Sequence, residues 1–183
     1  MDILEAIDLR ASALRLGEPG PGSEQLQRIL SAGARAPDHG RLSPWRFIVI
    51  EGAGRAALGS AMAELRRKKA PPPSEQELAR EREKPLRAPT IIAVAARITA
   101  HEKVPEIEQV VAVGAAVQNM ILAAQALGFG SMWKTGAPAY DMDVKMALGL
   151  EPADHIVAFL YLGTALATAP RRQESVSSLA RWL

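Results

Sequence analysis

Arginines and hydroxyls gather at what read as helix and loop ends of this 183-residue chain: Arg10 with Ser12, Arg35 with His39, and Arg171 with Arg172. A guanidinium is a planar fork of N–H donors, so it suits a phosphate or carboxylate that accepts two charge-assisted hydrogen bonds at once. The stretch AGARAPDHGRLSPWRFIVI, residues 32–50, sharpens the question. It carries Arg35, His39, Arg41 and Trp45 through one turn-rich connection into a β-branched run. Such a loop either holds an anion and a flat ring or is a solvated crossing, and a single surface arginine does not decide between them. Trp45 reads as structural, because a tryptophan beside a proline anchors a loop by burial without any ligand.

Other chemistries lack their residues. The chain has no cysteine, which removes disulfides, thiolate nucleophiles and Cys-based metal sites. His39, His101 and His155 show neither HxxxH nor HxH spacing, so no metal site is expected. There is no GxSxG, no ordered Ser/His/Asp set and no GxxxxGK[ST], and GFGSMW lacks the spacing of a dinucleotide fingerprint. With 22 Lys and Arg against 20 Asp and Glu, the net charge of +2 is too balanced to argue for nucleic acid or an anionic membrane. Hydrophobic content of 48% with 23% charged residues fits a globular chain, and the length fits one domain over residues 1–183 with a sizeable core. MDILEAIDLR carries acid where a secretory signal would carry base, so a cytoplasmic protein is expected.

The elements that must position these groups follow from periodicity. Ile3, Leu4 and Ile7 predict a short opening helix. After LGEPGPGS, Ser23 is placed to cap a second helix over 24–35, with Leu26, Ile29 and Leu30 inward. RFIVIE, TIIAVAAR and HIVAFLYLGT predict buried strands. A helix from Gly52 to Ala70 ends in RRKKA, basic residues that complement a helix C-terminus, and PPP stops it before a polar helix over 74–84. The longest element, 105–128, is apolar nearly all round, opens with acid and closes at Gly128. Its apolar length approaches that of a membrane span, but Gln118, Asn119 and Gln125 interrupt it, so burial in a core or at a subunit interface is expected instead. GFGSMWKTG leads into a short strand and DMDVKMALGL into a helix, while ALATAPRRQESVSSLARWL reads as a tail with little core of its own.

Four of these stretches, in this order, resemble the FMN-dependent nitroreductases, in the compact branch of that family. LRASALRL resembles its N-terminal Arg-Arg-Ser segment, and ARAPDHGRLSPWRFIVIEG its Ala-Pro-Ser…Asn…Gln-Pro-Trp stretch leading into a strand. AAVQNMILAAQALGFGSMWKTG resembles its long central helix followed by Gly-x-Gly-x-x-Trp, and IVAFLYLGTALATAPRR its final strand and Leu-Gly-x-Pro…Arg tail. The resemblance covers essentially the whole chain. It implies an α+β fold: a three-layer α/β/α arrangement with a central mixed or antiparallel sheet, a long central helix, and a C-terminal extension reaching the partner subunit. It also implies a homodimer with FMN at the seam. Arg10, Ala11 and Ser12 would bind the phosphate and ribityl region, with Arg172 or Arg171 adding a phosphate contact. Arg35 and His39 would approach the flavin from the other subunit, and Ser131, Met132 and Trp133 would line the opposite flank. Departures from the family pattern are Ala11 in place of a second arginine, Arg15 arriving only after Leu14, Asp38, Arg41 and Ser43 in place of Ser, Asn and Gln, and Ala165 in place of proline.

The resemblance implies hydride transfer from NAD(P)H, by way of FMN, to a nitroaromatic, a quinone or a similar small oxidised acceptor. Both half-reactions would share one site, giving ping-pong kinetics. The cofactor would carry the chemistry, so no catalytic acid or base is expected of the protein, and Arg35 and Arg15 are candidates to balance the charge of reduced flavin. Two rival classes remain at this point: a flavin- or nucleotide-binding carrier or sensor without turnover, and a helical interaction protein whose Ala-rich helix only oligomerises.

Overall fold

The computed structural model describes residues 2–170 together with 175, 177 and 179–182. Its layering follows from side-chain alternation. Thr90–Ala96 (β3) is buried at every position. Ile91, Ala93 and Ala95 enter one apolar cluster, and Ile92, Val94 and Ala96 enter another. A strand buried on both faces needs cover on both, and helices supply it. Trp45–Ile50 (β2) and His155–Thr168 (β5) pair antiparallel with β3. Gly130–Lys134 (β4) and Ala13–Gly17 (β1) pair antiparallel with β5. Ser23–Gly33 (α2) and Glu106–Ala126 (α5) cover one face through Leu26, Ile29, Val113, Val117 and Met120. Ala53–Arg67 (α3) and Met142–Ala147 (α6) cover the other through Leu58, Met62 and Val144. Glu75–Glu83 (α4) packs on α3, and Ile3–Leu9 (α1) lies against α5. This is the expected α+β, α/β/α architecture, and each of the four strand pairings among the described residues is antiparallel.

Four sequence expectations need correction. β2, expected to be buried, is largely half-buried with Val49 exposed, because it forms an edge of the sheet. β1 was not foreseen: its burial alternates irregularly and it includes an exposed arginine, so no apolar run marks it. β5 runs on to Thr168, past the end of its apolar stretch. Ala165–Thr168 are exposed and join the sheet through their backbones, opposite β1, so the supposed tail begins four residues later than expected. Ser23 does not cap α2. Gly22 is the cap residue, and the Gln25 side chain reaches back to accept from its N–H at 2.7 Å, which leaves Ser23 as the first helical residue.

The polar residues that interrupt α5 explain why a stretch of membrane-spanning length packs in a core. The helix is long and apolar enough to cross a membrane by length and composition. Instead, Asn119 donates to the Ala32 carbonyl at 3.2 Å and Gln125 to the Ala6 carbonyl at 3.0 Å, latching it to α2 and α1. Gln109, 1% exposed, bonds both the N–H and the carbonyl of Thr99 and so holds the preceding loop. At the far end Gly128, at φ 87, lets the Phe129 N–H reach the Ala124 carbonyl and its own N–H reach that of Gln125. That pair of bonds terminates the helix as expected. Burial is one-sided, however: Ile107 and Val111 on the outer side are 64% and 63% exposed.

Where α3 meets α4 the contact is backbone against helix. A Cβ at the buried Gly59 would stand 2.3 Å from the Arg82 carbonyl oxygen. Gly59→Ala should therefore push α4 outward and cost about 1–3 kcal/mol of stability, measured by urea unfolding; an unchanged midpoint would show that α4 is not seated on α3 this way.

Candidate functional site

A cavity of about 680 Å³ opens between β4, β5, the C-terminal end of α3 and the turn after α4. Its floor is apolar because alternation on two paired strands makes it so. Met132 stands opposite Tyr161 and Lys134 opposite Phe159, so all four side chains leave the same face of the sheet. Met62 and Leu65 of α3 complete that floor. The rim is basic, with Arg15, Arg66, Lys69, Lys84, Arg87 and Lys134 against Glu81 alone. The whole chain carries 22 basic and 20 acidic residues, so this excess is local. Low-dielectric walls focus the field of such a rim into the cavity.

Two of those cations are already engaged. Lys84 bonds Glu81 at 2.5 and 2.6 Å, and Arg66 bonds Glu77 at 2.8 Å. Arg15, Lys69, Arg87 and Lys134 have no hydrogen-bond or ion-pair partner among the described residues. Glu77 has two functions. It accepts from the Ser74 N–H at 2.8 Å, closing the N-terminal cap of α4, while its other oxygen holds Arg66 at the rim. The backbone bond from Ser74 first, and then Arg66, pull its carboxyl down to about 2. Tyr161 is shifted the other way. Burial raises its hydroxyl to about 12 against the opposing charge of Arg87, so it stays a neutral O–H donor. That hydroxyl has no hydrogen-bond partner among the described residues, yet it is not sealed from solvent, although the residue is only 5% exposed.

The residues singled out from sequence fall into two groups. Arg15 and Met132 line the cavity. Arg15 follows a bulge: Ala13 faces Thr168 and Arg15 faces Ala167, so Leu14 is bulged out, and Leu166 is skipped in turn on β5. Upstream, Arg10 closes α1 with a guanidinium that has no partner among the described residues, Ala11 is half-buried, and the Ser12 carbonyl accepts from Ala169 at 2.9 Å. Ser131 is buried in β4. Trp133 points to the opposite face, where its indole donates to the Val157 carbonyl at 3.1 Å.

Arg35 and His39 lie elsewhere in the chain. Arg35 is exposed beyond α2. His39 sits in the single turn His39–Arg41 with Nδ1 2.5 Å from Glu108 Oε2, beside a shallow cleft that includes Ile107 and Val111. The loop around it is tightly held. Arg41 and Ser43 take φ 54 and 49, a strained region for non-glycine residues, and Asp38 closes the turn by accepting from the Ser43 N–H at 2.6 Å. Trp45 packs into the α2–α5 side of the core, in keeping with a structural role. Arg172 and Arg171 lie outside the described residues.

Sequence reasoning missed Arg66, Lys69, Arg87 and Tyr161. One signal was present. Met62, Leu65, Arg66 and Lys69 recur at three- and four-residue spacing, a helix face that turns from apolar to basic along its length.

The model of the Nitroreductase family matches residues 17–164. YdjA of Escherichia coli K12, whose provisional name is NAD(P)H nitroreductase, is 45% identical over 164 residues, covering 90% of this chain and 88% of the relative. A Haemophilus influenzae protein with the same provisional name is 35% identical over 176 residues, 93% and 92% of the two chains. The chain belongs to the nitroreductase family. Among solved structures, the Nitroreductase-like Family Protein from Bacillus cereus superposes with a TM-score of 0.85 at 23% identity, covering 100% of this chain and 96% of that one. A Desulfovibrio desulfuricans protein, described as a nitroreductase in complex with FMN, gives 0.75 at 26% identity, covering 98% and 95%. This nitroreductase-family enzyme thus carries its cavity and basic rim on the family's shared fold.

Because Glu77 is held well below its ordinary 4.5, the stability it lends is fully present above pH 4.5 and is lost as pH falls toward about 2. Glu77→Gln should flatten that window: the stability difference between native protein and variant shrinks steadily from pH 4.5 downward, read by urea unfolding at a series of pH values.

Proposed function

We propose that this enzyme is an FMN-dependent NAD(P)H oxidoreductase that reduces nitroaromatics, quinones or similar small acceptors, and that two copies complete two sites. What supports the reading is the cationic, apolar-floored cavity beside residues 131–133, in a chain 45% identical to YdjA and sharing the fold of an FMN-bound neighbour. A volume of about 680 Å³ suits a ring system, and the apolar floor around Met62, Leu65 and Met132 suits its flat face. When bound, FMN would supply a two-electron relay between the nicotinamide and the acceptor.

The chain's own residues would hold and bias that group. Arg10, Ala11 and Ser12, with Arg172, would take the phosphate and ribityl end. Residues 131–133 would flank the ring, Met132 with its side chain and Ser131 and Trp133, whose side chains leave the other face of β4, through their backbone. Arg15, Arg66 and Lys69 would set positive charge against its pyrimidine edge. Arg35 and His39, away from the cavity in their own chain, would reach the flavin of a second copy. No side chain has to donate or remove a proton. Donor and acceptor would occupy the cavity in turn, so initial rates should give parallel double-reciprocal lines.

The purified protein should be yellow, release about one FMN per chain, and bleach anaerobically with NADH or NADPH. Colour that neither nicotinamide bleaches would favour a carrier or sensor, and a colourless protein that binds no added FMN would refute the proposal. Arg10→Ala should weaken FMN binding roughly ten- to hundredfold through loss of a charge-assisted contact, with the far-ultraviolet spectrum unchanged.

The exposed Ile107 and Val111 on α5 are the expected contact with the second copy. Val111→Asp should convert a dimer to a monomer in sedimentation and lower flavin content with it. A native protein that sediments as a monomer would overturn the two-copy site.

A further inference from the structure

The flavin reading accounts for only part of the cavity rim. Reduced flavin would bring about one negative charge to its pyrimidine edge, for which Arg15, Arg66 and Lys69 suffice. Arg87 and Lys134 remain, both without partners among the described residues, as does the unpaired hydroxyl of Tyr161. These three groups share one wall. Tyr161 and Phe159 leave the same face of β5, Lys134 stands across the ladder from Phe159, and Arg87 is near enough to bias the ionisation of Tyr161. Among the described residues the one carboxylate lining the cavity, Glu81, is bonded to Lys84, and no ion pair joins it to Arg87 or Lys134.

Each of these observations asks for the same ligand chemistry. A hydroxyl that opens to the cavity with no partner among the described residues is free to donate to a ligand. A guanidinium fork beside it matches a planar oxyanion with two acceptor oxygens. The Phe159 and Tyr161 rings beside these groups match an aromatic face. A neutral nitroaromatic or quinone would use the floor and leave the polar groups unanswered.

We propose that the acceptor taken by this cavity is a nitroaromatic or quinone that also bears a carboxylate, its carboxyl group held unchanged by Arg87 and the Tyr161 hydroxyl with Lys134 adding charge. Its nitro or quinone group takes the two electrons from NAD(P)H and protons from solvent, a nitro group leaving as nitroso plus water. The turnover part of this proposal rests on the flavin reading; the binding part does not.

The test compares 4-nitrobenzoate with its neutral methyl ester on the holoenzyme. The native enzyme should prefer the carboxylate by about tenfold or more in kcat/KM at low salt, and the preference should shrink as ionic strength rises. Arg87→Gln should lower the carboxylate-to-ester ratio by about tenfold, mainly through KM, and Arg87→Lys, which keeps the charge but loses the fork, by less. Tyr161→Phe should lower the ratio by a smaller factor while the ring is preserved. Equal rates on the two probes, or a ratio that Arg87→Gln leaves untouched, would overturn the proposal. So would loss of FMN from Arg87→Gln, which would place Arg87 in the flavin site. If the native protein holds no FMN, calorimetry with the same two compounds decides: selective binding of the carboxylate upholds the anion site although the flavin reading has failed, and equal or absent binding refutes both.

Discussion

One strand organises this molecule. β5 runs fourteen residues and hydrogen-bonds to β3, β4 and β1, and no other strand among the described residues has three strand partners. Ile156 to Leu162 are buried apart from the half-buried Val157, so their alternation dictates which helices lie on which side. Beyond Leu162 the demand changes. There β5, β1 and the start of β4 converge so closely that side chains do not fit. A Cβ at Gly163 would stand 2.8 Å from the Gly17 carbonyl oxygen, and one at Gly130 would stand 2.7 Å from the Ala165 Cβ. Bare backbone at these two positions lets β1 and β4 share one strand, and that sharing brings Arg15 and Met132 to the same cavity.

Charge is distributed around the cavity by the same economy. α4 is strongly polar, and its acids restrain cations that would otherwise be loose: Glu77 holds Arg66, and Glu81 holds Lys84. Exposed pairs of this kind add roughly 0–1 kcal/mol each, so their effect is on position more than stability. They fix the inner rim while Arg15, Lys69, Arg87 and Lys134 stay available. The Leu14 bulge shifts the register just ahead of Arg15, and the skipped Leu166 on β5 restores it.

Legibility from sequence tracked burial. TIIAVAAR and HIVAFLYLGT announced themselves because strands covered on both faces need unbroken apolar runs, and RFIVIE, a largely half-buried edge strand, did so by its β-branched residues. β1 and the last four residues of β5 did not, because they join the sheet by backbone alone and expose much of what they carry. α5 was readable in extent, and its polar interruptions were recognised, but only the coordinates show Asn119 and Gln125 as latches to specific carbonyls. For the site, composition and spacing supplied suspicion and the family resemblance supplied the map. Arg66 and Lys69 were hidden in RRKKA because basic residues at a helix end already satisfy a simpler rule, the helix dipole. Tyr161 was hidden inside a strand where an aromatic residue passes as core, since its unpaired hydroxyl is a property of the neighbours and not of the sequence.

The long helix connects the core to the proposed second copy. Its inner side is consumed by the sheet and α2, which is why Val113, Val117 and Met120 are fully buried. Its outer side carries Ile107 and Val111 into solvent, next to the cleft where His39 meets Glu108. A chain of this size cannot wrap an apolar helix from every direction, so the residual apolar surface has to be covered from outside or tolerated. If a second copy covers it, the helix that holds the core also carries the strained loop of Arg41 and Ser43 toward the neighbour, and His39 with it. Assembly and cofactor binding would then be coupled through one element. A substitution on the outer side of α5, chemically remote from any flavin contact, would act on the cofactor only by way of the dimer.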